Sequence, residues 1–233
     1  MENFLLDYLQ KHYQHQKEIH HKPKPPGPVV TISRQAGCGG NAIAKLLAET
    51  LNEFYLPVGD ETRWEVVSKK ILENSARELK AKTEDIRFVF ESEQRSLWED
   101  FMQSVTARDY HSEWKIKNTI KQVIRDFAED GHAIILGRGG AQITRDIEKS
   151  LHIKIVGPLN WRADRVAKRF GITKSVALKQ IKETDDAREK LIKMLYAGCD
   201  QDICYDVTYN VEKISNQSLV SDIIHMMQRK KLV

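Results

Sequence analysis

Val29-Val30-Thr31-Ile32-Ser33-Arg34-Gln35-Ala36-Gly37-Cys38-Gly39-Gly40-Asn41 decides the fold. The first four residues are a short β-branched and apolar run, which predicts a strand. Three glycines then crowd the turn. Ile43, Leu46, Leu47 and Leu51 follow at helical spacing. Strand, glycine turn and helix in that order make an anion site, because the turn's backbone N–H groups and the helix N-terminus face the same point.

Working outward, Val58-Gly59-Asp60 reads as the end of a second strand. From Glu61 to about Asp130 the apolar residues keep helical spacing, from Trp64, Val67 and Ile71 through to Val123, Ile124 and Phe127. Gly131 is a suitable stop. His132-Ala133-Ile134-Ile135-Leu136 reads as a buried parallel strand ending at Gly137-Arg138-Gly139-Gly140. His152–Val156 predicts another strand. Two helices are expected over Asn160–Phe170 and Ser175–Leu195, the second capped by Thr173. Tyr205–Asn210 reads as the last strand, and the tail from Ser218 as helix. Strands alternating with helices predict an α/β fold with a parallel sheet.

Upstream, Phe4, Leu5, Tyr8 and Leu9 suggest a short amphipathic helix within Glu2–His21. Lys22-Pro23-Lys24-Pro25-Pro26-Gly27-Pro28 cannot continue it and reads as a stiff linker. The expected organisation is therefore a helix and linker over 1–28 and one domain over 29–233, with an insertion at about 61–130 and a lid at about 160–198. The four histidines at 12, 15, 20 and 21 read as a solvated face, since no carboxylate or cysteine pattern fixes a metal geometry.

The chain has 233 residues, with 37 Lys and Arg against 33 Asp and Glu, a net charge of +4. That is too mild to demand a nucleic-acid partner. Hydrophobic residues at 41% exclude wholesale disorder. No apolar run reaches the roughly 20 residues of a membrane span, so no membrane partner is expected. Three cysteines without ligand spacing and the lack of an apolar leader suit a reducing, cytoplasmic setting. Cys38 stands where a helix N-terminus lowers a thiol's pKa; the alternative is a small residue tolerated in the turn.

Set against the pattern G-x-x-x-x-G-K-[ST], Arg34 falls on the first glycine, Gly39 on the second, Gly40 on the lysine and Asn41 on the hydroxyl residue. Arg34 is then the cation available from the other end of the turn, and Asn41 a carbonyl ligand for Mg²⁺. From Trp161 to Lys193 there are ten Lys and Arg against five Asp and Glu. Arg162, Arg165, Arg169 and Arg188 are candidates for stabilising a transferring phosphoryl group, whose charge spreads over its oxygens. The competing reading of that run is a solvated face. Arg138 follows a strand, where open α/β sheets bind ligands. Asp60 is a candidate Mg²⁺ ligand or a helix cap, and Arg108, Asp109 and Tyr110 are candidate acceptor contacts.

Ser33-Arg34 with Gly37-Cys38-Gly39-Gly40 and Ile43-Ala44 resembles the opening of the cytidylate kinase-like family of P-loop proteins. Ile135-Leu136-Gly137-Arg138-Gly139 resembles its GRG segment, Trp161-Arg162 with Arg165 its lid-helix arginines, and Asp185-Asp186-Ala187-Arg188 its second lid helix. Tyr205-Asp206 with Asn210 resembles its last strand. Three positions depart from cytidylate kinases: Gly40 stands for the lysine, Gly139 for an aspartate and Thr184 for an arginine. The resemblance implies a P-loop kinase-like three-layer fold with a central parallel sheet, a helical acceptor-binding insertion and a helical lid. It implies phosphoryl transfer from ATP with Mg²⁺ to a nucleoside monophosphate, CMP above all. Gly37, Cys38, Gly39, Gly40 and Asn41 would hold the donor; Arg34, Arg162, Arg165 and Arg188 would act on the transferring group; Arg138, Arg108 and Asp185 would bind acceptor. Two other readings stay open: a nucleotide- or phosphate-sensing protein without turnover, and a kinase for another small phosphorylated acceptor. The N-terminal helix is open to use in self-association or partner docking.

Overall fold

The computed structural model describes residues 26–55, 62–67, 110–195 and 205–233. Five strands carry the fold: β1 (Val29–Arg34), β2 (Glu65–Val67), β3 (Ala133–Leu136), β4 (Ser150–Val156) and β5 (Val207–Asn210). They form one sheet in the order β2-β3-β1-β4-β5, and every neighbouring pair is parallel. β1 is the central strand. Its register sets Val30 between Ile134 and Leu151, and Ile32 between Leu136 and Ile153, all buried. Apolar residues along the whole of such a strand are what a sheet covered on both faces requires.

Six helices accompany the strands: α1 (Gly40–Phe54), α2 (Tyr110–Asp130), α3 (Gly140–Ile143), α4 (Leu159–Phe170), α5 (Lys174–Leu195) and α6 (Asn216–Arg229). α1 lays Ile43, Leu47 and Leu51 on the sheet beside Ile223, Ile224 and Met227 of α6. α2 and α3 pack with each other and with the sheet, joined by Arg125, which donates to the Ile143 carbonyl at 3.3 Å. α4 and α5 pair around a small apolar cluster, Ala163, Ala177 and Ile181, that also takes in Ala36 of the glycine turn. Thr173 caps α5, accepting from Val176 N–H at 3.4 Å. Among the described residues no helix is long and apolar enough to cross a membrane.

One expectation is corrected. Glu65–Val67, read as helix within 61–130, is a strand. Trp64, Val67 and Ile71 mimic a helical face, but pairing of Val66 with Ile134 and Val67 with Ile135 prevails over the local pattern. Asn52 of α1 fixes the strand's start by bonding both Trp64 N–H (2.7 Å) and Trp64 C=O (2.9 Å). The other boundaries move by a few residues: β4 opens at Ser150, β5 at Val207 and α6 at Asn216. α3 is a helix that the glycine-rich reading of 137–140 did not anticipate. Residues 1–25, Val58-Gly59-Asp60 and Arg108 lie outside the described residues.

β1 and β4 share a buried polar pair, Thr31 and His152, directly opposite in register. Ser150 donates to the Ile147 carbonyl at 2.6 Å, so its oxygen accepts from His152 Nε2, 3.1 Å away. Thr31 Oγ1, at 2.9 Å, then donates to Nδ1. The imidazole is thus held neutral. Burial pushes its pKa below the ordinary 6.5; the Asp206 carboxylate opposes this and Lys230 reinforces it. A depressed folded pKa makes a stability contribution that is present above pH 6.5 and lost as pH falls, because the unfolded chain takes up a proton the folded one refuses. Urea unfolding between pH 8 and pH 5 is expected to show stability falling below pH 6.5, by up to about 1.4 kcal/mol per pH unit. His152→Gln is expected to remove that share of the slope; an unchanged slope would count against it.

Candidate functional site

β1 ends at Arg34, and the turn that follows remains tied to the sheet: Gln35 N–H donates to Ile155 C=O at 3.0 Å. Gln35 Oε1 accepts from Gly157 N–H at 3.1 Å, joining the turns after β1 and β4. Cys38 N–H returns to Gln35 C=O at 3.3 Å. Gly37 and Gly39 have φ of 84° and 79°, a conformation that side chains disfavour. Gly39 is the N-cap of α1; no side chain caps the helix and no acid lies in its first turn. The free N–H groups there carry partial positive charge that suits an anion. Within 4 Å of a Cβ placed on Gly39 there is one neighbouring group, Arg165 Nη2 at 3.1 Å. Arg165 lies over the Trp161 ring, 4.6 Å from its centroid, so it is held above the turn although solvent reaches it.

Arg162, i−3 from Arg165 on α4, takes a different place. It is buried, 5% exposed. Its Nε donates to Gly157 C=O at 2.9 Å, and its Nη1 to Ala36 C=O at 3.0 Å and to Asp185 at 2.6 Å. Asp185 on α5 uses its other oxygen to accept from Ala36 N–H at 2.7 Å. Arg188, one helical turn on, lies 3.7 Å from the same carboxylate and donates to Arg34 C=O at 3.1 Å. Both lid helices are therefore fastened to the glycine turn by charge. Arg162 and Asp185 are engaged with each other and with the backbone, rather than turned to a ligand.

Arg34 leaves the turn. A Cβ on Gly40 would meet Arg34 Cγ at 2.9 Å, and one on Gly137 would run into Arg34 Nη1. Its stem thus covers Gly40 and its guanidinium lies against the turn after β3. There Arg34, Arg138 and Arg188, with Lys154 and Tyr205, line a cavity of about 350 Å³ at the carboxyl ends of the strands. β1 is where the strand order reverses, the place at which open parallel sheets bind ligands. Of the residues expected from the sequence, Arg34, Arg138, Asp185 and Arg188 meet in the cavity, and Gly37–Asn41 form the neighbouring turn and helix start, with Arg165 of α4 over Gly39.

Lys154 and Tyr205 were not among the expected site residues. The signal for Lys154 was in β4, where His152 and Lys154 alternate with buried Ile153 and Ile155. At Cys38 the reading as a small residue tolerated in the turn prevails over that of a lowered thiol pKa. Cys38 is buried and raised to about 11: burial outweighs the opposing charges of Arg162, Arg165 and Arg188, and Asp185 adds to the rise. It is a small packed residue, protonated at neutral pH.

The Arg162–Asp185 pair generates a stability prediction. Removing the half-buried Asp185 leaves the buried Arg162 guanidinium without its counter-charge. Asp185→Ala is expected to cost about 3 kcal/mol in urea unfolding; Arg165→Ala, on the solvent side, is expected to cost under about 1 kcal/mol. Equal losses would remove the distinction drawn between these two lid residues.

The cytidylate kinase-like family model matches residues 29–213. A cytidylate kinase of Methanocaldococcus jannaschii is 25% identical over 188 residues, 79% of this chain and 89% of that protein. A uronate isomerase of Corynebacterium glutamicum is 32% identical over 110 residues, 46% of this chain; the match spans about a fifth (21%) of that relative's length. A crystal structure of an uncharacterized protein from Eubacterium ventriosum superposes with a TM-score of 0.61 at 20% identity, covering 86% of this chain and 98% of that one, and shares the fold. With its model matched over nearly the whole of the described sheet and lid, the chain belongs to the cytidylate kinase-like family.

Proposed function

We propose that the protein transfers the γ-phosphoryl group of ATP to a nucleoside monophosphate, with CMP the first acceptor to test. The observation that carries this is the adjacency of two anion-suited places. An uncapped helix N-terminus behind αL glycines stands beside a strand-end cavity lined by arginines, and Arg34 runs from one to the other. The donor's phosphates would sit on Gly39, Gly40 and Asn41 under Arg165, and the acceptor would enter the cavity. An acceptor phosphate oxygen bonds to the γ-phosphorus as the bond to the β–γ bridging oxygen breaks, and ADP leaves. No general base is needed, because the acceptor phosphate is already ionised.

Two features of the turn bear on the donor. Asn41 is exposed at its rim and offers a carbonyl oxygen. Asp60, the other candidate Mg²⁺ ligand, lies outside the described residues. Mg²⁺, when bound, would neutralise charge on the donor's phosphates, with Asn41 as a candidate ligand from the chain. Gly40 carries no lysine, and Arg34 takes up the space that a side chain there would need. Arg34 therefore stands in as the phosphate-bridging cation, while Arg162 and Asp185 hold the turn in place.

The second reading is a nucleotide-sensing protein without turnover. It is favoured by the Asp185 carboxylate on the Ala36 N–H, an internal anion bonded to the turn. Mg-ATP with a panel of monophosphates and other phosphorylated acceptors, read as ADP release beside calorimetric binding, separates the two. Turnover on a monophosphate supports the first; binding with no turnover on any acceptor supports the second.

Arg34→Ala is expected to weaken ATP binding by about 1.5–3 kcal/mol, the loss of one charge-assisted contact. Gly40→Lys alone is expected to harm folding or binding, because its Cβ meets Arg34 Cγ. In Arg34→Ala that atom is gone, so the double variant should bind ATP better than either single one. Unchanged ATP affinity in Arg34→Ala would overturn the assignment of Arg34.

A further inference from the structure

Trp161 has no task in the phosphoryl-transfer reading. It stands in the first turn of α4, and its half-buried ring packs against the main core. A Cβ on Gly157, just after β4, would meet the ring's Cε3 and Cζ3 at 3.1 Å, so the bare glycine leaves the ring its seat. Gly157 is itself fixed. Its N–H donates to Gln35 Oε1 at 3.1 Å, and its C=O accepts from Arg162 Nε at 2.9 Å. The ring is thus referenced to the end of β4 and, through Gln35, to the glycine turn.

Arg165 lies at i+4 from Trp161, on the same helix face. Its guanidinium carbon is 4.6 Å from the ring centroid. Nη2 of the same group stands 3.1 Å from a Cβ placed on Gly39, the N-cap of α1. The Arg165 side chain is exposed, and a long exposed side chain gives up rotamer freedom when it is fixed at one point. A carboxylate would fix it only by cancelling its charge; a ring face fixes it and adds no charge. The acid next to it in sequence is turned elsewhere: Asp164 pairs with Lys174 at 2.8 Å.

We propose that Trp161 is a positioning residue for the phosphates of a nucleoside triphosphate, its ring holding Arg165 over the start of α1. The assignment rests on the placement of the donor on Gly39, Gly40 and Asn41 in the phosphoryl-transfer reading. Arg165 touches the ligand, and Trp161 acts only through it. An arginine held in place beforehand loses less freedom when the ligand arrives, so the ring raises affinity by lowering the ordering cost. The ring acts through its face, so the indole N–H is dispensable and phenylalanine serves in its place.

The test is a double-mutant cycle on the full chain, with Mg-ATP binding read by calorimetry and folding by urea unfolding. Arg165→Gln is expected to weaken ATP binding about tenfold. Trp161→Leu is expected to weaken it about three- to fivefold, and Trp161→Phe to stay within about twofold of wild type. In the Arg165→Gln background Trp161→Leu is expected to change nothing further, because the ring then has no arginine to hold. A merely structural role would lower affinity equally in both backgrounds, and that result overturns the assignment. So does a folded Trp161→Leu with wild-type affinity, or a Trp161→Phe as weak as Trp161→Leu. Should Trp161→Leu fail to fold, Gly157→Ala decides in its place, since its methyl displaces the ring. A loss of ATP affinity that vanishes in Arg165→Gln supports the assignment; unchanged affinity, or an equal loss in both backgrounds, overturns it. The reading beneath it fails separately: ATP binding that depends on Trp161 and Arg165, with no turnover on any acceptor, overturns the kinase and leaves the positioning role standing. A wild-type chain that does not bind ATP overturns both.

Discussion

The Asp185 carboxylate ties the active region together. It joins α5 to the glycine turn through Ala36 N–H and to α4 through Arg162, whose guanidinium also holds Ala36 C=O and Gly157 C=O. The half-buried carboxylate has the buried Arg162 guanidinium on one oxygen and a backbone N–H on the other, so the guanidinium's charge is met where water does not reach it. The turn is also held by Gln35, bonded to Ile155 C=O and Gly157 N–H, and by the buried Cys38. Its glycines contribute no side chains, and Ala36 adds one methyl to the small cluster shared with Ala163, Ala177 and Ile181. Charge and hydrogen bonding fix what apolar packing cannot.

That arrangement has a chemical consequence. Arg162 is engaged in the tie, and other cations stand nearer the helix start and the cavity. Arg165 is propped above Gly39 by Trp161, Arg34 reaches across Gly40 towards Gly137, and Arg188 binds the Arg34 carbonyl. The lid thus divides its arginines between holding the turn and facing the solvent side of the site. Spacing alone could not make that division, since Arg162 and Arg165 lie on the same helix face; burial does.

Much of the fold was legible because the sheet is buried on both faces. Val29–Ile32 and Ala133–Leu136 are apolar or β-branched runs bounded by turn residues, His152–Val156 alternates polar His152 and Lys154 with isoleucines, and these became the three inner strands. β2 was not legible: three residues long and at the sheet's edge, it owes its form to β3 and to Asn52, neither of which is local to it. The site was legible as a neighbourhood more than as roles. Glycines at 37 and 39 announced αL backbone, and Arg138 and Arg188 were marked by position. The pairing of Asp185 with a backbone N–H 149 residues away was not readable, because it depends on how two helices fold back over the turn. Cys38 shows the same limit: a helix N-terminus lowers a thiol's pKa, but only the packing shows that burial wins.

The glycine at position 40 is better understood as one half of an exchange than as a loss. A lysine on the first residue of α1 would project from the helix start, across the space where the Arg34 stem now runs. A side chain at position 40 would press on the Arg34 stem, so with Arg34 placed as it is the smallest residue fits best at the start of α1. The exchange also moves the charge. A lysine there is a point charge carried by the helix that bears the turn's N–H groups. Arg34 carries a planar fork from the central strand, and its guanidinium reaches the turn after β3. It therefore links the glycine turn to the cavity at the strand ends. The same pair of positions that breaks the usual pattern in sequence places one cation between the two anion-suited places of the fold.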